Sequence, residues 1–130
     1  MEKYRLIASD LDGTLLDGGS RVGEKNLRAI RELTERGVIF VPSTGRALSE
    51  IPSELLSLDC IRYIIYANGA SVIDRVTGER IEACIDRERL NSVFAVLSHY
   101  DTHIAVRYKG ETFVARRSWI DYVIFSFTLL

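Results

Sequence analysis

Cysteine is scarce in this chain, and so is any excess of charge. Cys60 and Cys84 are the only cysteines in 130 residues. They are too few for a disulfide framework, so reduced thiols packed as small buried hydrophobes are expected. Lys plus Arg is 17 and Asp plus Glu is 18, a net charge of −1. A near-neutral chain lacks the field that holds a protein on nucleic acid or anionic lipid, and neither partner is expected. No long apolar run follows the start Met-Glu-Lys-Tyr-Arg. That argues against a signal peptide and for a cytoplasmic protein. Repeats and low-complexity segments are also missing. With 47% hydrophobic and 27% charged residues, the composition is that of a soluble globular domain rather than a fibre or a disordered tail. The length suits one ordinary domain and not two full-sized ones.

One stretch is uneven. Residues 119–130 are nearly all apolar, with Asp121 the only charge. The run is too short to span a bilayer. A chain that stops inside such a run leaves apolar surface uncovered. Two expectations follow: the chain ends before its fold does, and its apolar end can mediate homo-oligomer contacts.

Alternating periods organise the rest. Residues 4–9 read as a buried strand that runs into the loop composition of Asp10, Asp12 and Gly13. Leu27, Ile30 and Leu33 recur at helical spacing, and Gly37 is placed to end that helix in a left-handed cap. Residues 38–41 read as a second strand. Leu48, Ile51, Leu55 and Leu58 suggest a second helix, which Pro52 must break or restart. Residues 62–67 read as a third strand. Strand–helix–strand–helix–strand predicts an α/β parallel sheet built from βαβ units. Beyond Asn68-Gly69 the pattern predicts a hairpin over 71–85, a helix capped by Asp86, and a second hairpin around Lys109-Gly110. The expected division is an α/β segment over 1–79 and an α+β segment over 80–130.

Asp10-Leu11-Asp12-Gly13-Thr14 is the most informative run. It stands at the carboxyl end of the first strand, where open parallel sheets bind their ligands. Two carboxylates two residues apart form a hard, oxygen-rich site suited to Mg²⁺, so Asp10 and Asp12 are candidate metal ligands. Asp10 is positioned to act as a nucleophile and Asp12 to move protons. Two solvated loop aspartates are the plain alternative. The five-residue pattern arises by chance in about one chain in a thousand of this length. At the end of the second strand, Ser43-Thr44-Gly45-Arg46 offers a hydroxyl, a backbone N–H and a guanidinium for phosphate. Arg46 serves equally well as a solvated residue.

These two motifs resemble those of the haloacid dehalogenase (HAD) superfamily: Asp-x-Asp-x-Thr after the first strand, then a hydroxyl residue ending the second. The Thr44-Gly45-Arg46 form and the Asn68-Gly69-Ala70 turn are similar to the Cof-type branch. The resemblance covers residues 4–75 closely and residues 80–116 weakly, as the start of an inserted cap. It implies a partial Rossmann-like core followed by part of an α+β cap. It further implies a Mg²⁺-dependent phosphatase of small phosphorylated metabolites, such as sugar or nucleotide phosphates, working through an aspartyl-phosphate. Asp10 and Asp12 are then catalytic, and Thr44, Gly45 and Arg46 bind phosphate. A turn role for Asn68 outweighs substrate contact.

The resemblance is incomplete. The family's third motif is a Lys, and Lys3, Lys25 and Lys109 all stand in other contexts. Its fourth motif, a Gly-Asp pair followed by Asp or Asn, has no counterpart after Asn68. Each lost electrostatic stabiliser of phosphoryl transfer costs about two to three orders of magnitude, so this chain alone is expected to turn over poorly or not at all. A non-catalytic phosphate-binding, oligomerising fragment is the alternative. A receiver-like phosphoacceptor fits the paired aspartates less well. His99 and His103 read as solvated residues rather than a metal pair, and Arg116-Arg117 as a solvated edge.

Overall fold

The computed structural model describes residues 4–116. Its first strand, β1 (Leu6–Ser9), pairs in parallel with β2 (Ile39–Pro42), in register from Leu6 opposite Ile39 to Ser9 opposite Pro42. The crossover carries helix α1 (Glu24–Glu35), whose apolar stripe buries Leu27 and Ile30. Gly37, at φ 81°, ends α1 as expected. Its N–H donates to the Thr34 carbonyl at 2.9 Å and that of Val38 to Leu33 at 3.1 Å, the paired bonds of a Schellman cap.

The second crossover is shorter than the periodicity suggested. Pro52 divides it into a 3₁₀ turn (Leu48–Glu50) and a single helical turn, α2 (Ser53–Leu56). Ile51, Leu55 and Leu58 are nonetheless buried, so the apolar spacing reported burial correctly while overstating helix length. Strand β3 (Tyr63–Tyr66) follows, with Ile64 and Tyr66 each 1% exposed. It meets β2 through one parallel bridge, Ser43 to Ile65. The chain then reverses. β4 (Ser71–Asp74) pairs antiparallel with β3, and β5 (Arg80–Glu82) antiparallel with β4. β1 and β2 thus form a parallel pair and β3, β4 and β5 an antiparallel sheet, the two joined in parallel by the Ser43–Ile65 bridge.

The chain divides into two units, Met1–Ala83 and Cys84–Leu130. Strand β5, which lies in the 80–130 segment of the sequence division, pairs within the first unit. In the second unit, helix α3 (Arg87–Leu97) is capped by Asp86, whose Oδ1 accepts from the Arg89 N–H at 2.9 Å. Strands β6 (His103–Tyr108) and β7 (Glu111–Arg116) form an antiparallel hairpin. Its turn holds Lys109 at φ 50° and Gly110 at φ 86°, the positive pair of a type I′ turn. Phe94 and Ile104 form a small core there with Leu90, Leu97 and Val106.

Both cysteines are free and exposed, which corrects the expectation of burial. Cys60 lies in the loop before β3, where Leu58 and Ile61 take the interior positions on either side. The ring Nδ1 of His99 bonds the Ala95 carbonyl at 2.9 Å, and His103 is exposed on β6. The apolar stretch 119–130 and Arg117 lie outside the described residues. Among the described residues, no helix is long and apolar enough to cross a membrane.

Candidate active site

The carboxyl ends of β1, β2 and β3 are laced together by backbone hydrogen bonds. Ser43 N–H donates to Ser9 at 2.8 Å, Thr44 N–H to Ile65 at 3.0 Å, Ala67 N–H to Arg46 at 2.9 Å and Asn68 N–H to Thr44 at 3.1 Å. Asp10 is the first residue beyond β1, and Thr44 and Gly45 lie just beyond β2. The turn Ala67–Gly69 directly follows β3. Parallel pairing thus gathers residues far apart in sequence at one sheet end.

The loop after β1 is shaped by what it buries. Leu11 is 0% exposed and anchors the loop in the core, while Asp10 and Asp12 on either side stay exposed. Burying one leucine is worth about 1.5–3 kcal/mol. The loop is a wide turn closed by Leu16 N–H donating to the Leu11 carbonyl at 2.9 Å. Gly13 adopts φ 76°, a left-handed conformation that a side chain would resist. Thr14 is exposed. The next turn is closed by Asp17, whose Oδ1 accepts from the N–H groups of Gly19 and Arg21, both at 2.9 Å. Those donors, Arg21 foremost, hold the Asp17 carboxyl below the usual range.

Arg46 forks onto Asp12. Its Nε donates to Oδ2 at 2.9 Å and its Nη2 to Oδ1 at 2.6 Å, a bidentate pair between residues 34 apart in sequence. The guanidinium is steadied further, with Nη1 donating to the Glu50 carbonyl at 2.9 Å and Nη2 to Ser20 Oγ at 3.2 Å. Glu50 Oε2 in turn accepts from the Ala47 N–H at 2.8 Å. The hydrogen bonds from Arg46 hold the Asp12 carboxyl below its ordinary value, and the same bonds raise the Arg46 pKa. Neither sequence alternative for Arg46 anticipated this partner. Ser20 and Glu50 were missed as well, because such pairings depend on the fold and leave no local pattern.

Thr44 is 4% exposed, the one buried polar residue of this unit's core among the described residues. Its Oγ1 accepts from the Arg46 N–H at 3.2 Å, which leaves the hydroxyl hydrogen available for an acceptor. The Gly45 N–H has no partner among the described residues. These two donors suit an anion.

The donor set also bears on a metal. Asp10 is a hard oxygen donor of the kind Mg²⁺ prefers, whereas the Asp12 carboxylate is committed to Arg46. Among the described residues, no group of three or more His, Cys, Asp or Glu gathers to hold an ion. The donor type therefore fits Mg²⁺, but the described donors do not complete its near-octahedral shell.

A model of haloacid dehalogenase-like hydrolases matches residues 7–127. The chain is 41% identical over 70 residues to 5-amino-6-(5-phospho-D-ribitylamino)uracil phosphatase YcsE of Bacillus subtilis, covering 54% of this chain and 28% of that protein. It is 36% identical over 80 residues to HMP-PP phosphatase of Serratia proteamaculans, covering 62% of this chain and 29% of that one. Among solved structures, a haloacid dehalogenase-like hydrolase from B. subtilis superposes with a TM-score of 0.68 at 35% identity, over 78% of this chain and 36% of the other. The chain thus spans about a third or less of the curated relatives it matches.

Proposed function

Since the chain belongs to the haloacid dehalogenase-like hydrolases, we propose that its strand-end site is the phosphoryl-transfer centre of a Cof-type phosphatase for small phosphorylated metabolites. The observation that carries this is Asp10 at the end of β1, beside the free donors of Thr44 and Gly45 at the end of the parallel neighbour β2. The names of the two curated relatives support a small phosphorylated substrate.

In this reading an Asp10 carboxylate oxygen attacks phosphorus and the bond to the ester oxygen breaks. Asp12, protonated from solvent once the bound phosphate draws Arg46 away, passes that proton to the departing oxygen. Asp12 then removes a proton from water, which attacks the aspartyl-phosphate, releases inorganic phosphate and restores Asp10. Thr44 and Gly45 hold the non-bridging oxygens throughout. Arg46 fixes the orientation of Asp12 and keeps it a carboxylate, the form that activates water. An approaching phosphate competes for that guanidinium, freeing Asp12 for its acid role and giving Arg46 its place on the phosphate. Mg²⁺ belongs to this reading as the ion that Asp10 and Asp12 would hold and that would offset phosphate charge. A cytoplasmic location also belongs here, since two exposed free thiols suit a reducing compartment.

Hydrolysis of p-nitrophenyl phosphate and a panel of sugar and nucleotide phosphates with Mg²⁺ tests the reading. The 130-residue chain should show weak turnover, abolished by Asp10→Asn. Turnover that survives Asp10→Asn would refute Asp10 as nucleophile, and turnover at an ordinary phosphatase rate would refute the expected weakness.

A further inference from the structure

The turn after β3 is strained in a way its sequence does not require. Ala67 at φ 51°, Asn68 at φ 56° and Gly69 at φ 86° are three successive left-handed residues, and only the third is a glycine. An alanine there carries a cost on the order of 1 kcal/mol. The conformation is held by the N–H groups of Ala67 and Asn68 on the Arg46 and Thr44 carbonyls. Its result is a close approach. A Cβ built on Gly45 would lie 2.5 Å from Asn68 Oδ1 and 3.3 Å from Asn68 Cγ. Gly45 does not have a left-handed φ, so what a Cβ there would meet is the Asn68 amide, which would have to swing away. The Asn68 side chain is exposed and makes no hydrogen bond among the described residues. A strained turn thus brings an amide with no partner among the described residues up against Gly45, with Asn68 Nδ2 3.5 Å from the same Cβ position, next in sequence to Thr44.

We propose that Asn68 is a third ligand-binding residue of this site, its amide donating to an oxygen of the bound phosphate beside Thr44 and Gly45. This rests on the phosphate reading above and adds a contact from β3 to those from β1 and β2. A Cβ at Gly45 would push that amide away from the ligand.

The test is titration of inorganic phosphate into the whole chain, followed by amide shifts in ¹⁵N-labelled protein, which also report folding. Asn68→Gly keeps the left-handed backbone and removes only the amide. It should weaken phosphate binding about three- to tenfold, as expected for one lost hydrogen bond. Asn68→Asp should weaken it further, because a carboxylate repels the anion. Gly45→Ala should weaken binding in the wild-type background and add little to Asn68→Gly. The proposal is overturned if both Asn68 variants bind like wild type while Thr44→Val binds worse. If wild type binds phosphate and neither Thr44→Val nor Asn68→Gly alters it, the site lies elsewhere and the underlying reading falls too.

Discussion

Arg75 offers the sharpest test of how the first unit holds together. It follows β4, and its guanidinium donates through Nη1 to the Leu58 and Ile61 carbonyls at 2.9 and 2.8 Å, and through Nη2 to Leu56 at 2.5 Å. Two of these carbonyls lie at and just past the end of α2, where helix geometry leaves acceptors unpaired. Removing the guanidinium strands three partly buried carbonyls at once. Bonds from charged donors contribute about 1.5–3 kcal/mol each, but one shared donor and entering water make the losses less than additive. Arg75→Met should therefore cost about 2–4 kcal/mol in urea unfolding followed by circular dichroism. For a unit of this size that corresponds to a drop in Tm of roughly 10–25 °C. Arg75→Lys should lose most of the same stability, since one ammonium cannot span three carbonyls. A change below about 0.5 kcal/mol for Arg75→Met, the range of ordinary surface substitutions, would refute the clasp.

Acid stability should depend on Asp74. Arg62 donates to its Oδ2 at 3.0 and 2.7 Å, and Val76 N–H to its Oδ1 at 2.9 Å. These partners, Arg62 first, lower its pKa on folding. A lowered folded pKa means stability that is present above the unfolded value and lost as pH falls through the folded one. Asp74→Asn should flatten the decline of Tm below about pH 5 and leave its slope above pH 6 unaltered; an unchanged acid limb would contradict this. In the second unit, Asp86→Ala removes the cap of α3 and should cost about 0.5–2 kcal/mol. Asp86→Asn, which keeps the acceptor, should recover most of that loss, as read from the same unfolding curves.

Local chemistry was legible in the sequence and long-range partnership was not. Gly37, Asp86 and Lys109-Gly110 announce their caps and turn because those geometries are set by neighbouring residues. The positions of Asp10 and Thr44 just past strand ends were readable for the same reason, since each follows an apolar run. The antiparallel return of β4 beside β3 was not, since strand direction within a sheet carries no periodicity signal. The Asp12–Arg46 fork joins side chains from two loops, and no pattern in either loop specifies it. Asn68 read as an ordinary turn residue; its contact with Gly45 becomes visible only once β2 and β3 are aligned.

The central claim is that Asp10 carries the phosphoryl group. Intact-mass analysis of the acid-quenched chain after exposure to acetyl phosphate and Mg²⁺ tests it directly. The account predicts one added phosphoryl group on wild type, none on Asp10→Asn, and greater accumulation on Asp12→Asn, where water activation is lost. An adduct that persists in Asp10→Asn, or none in either wild type or Asp12→Asn, would contradict it.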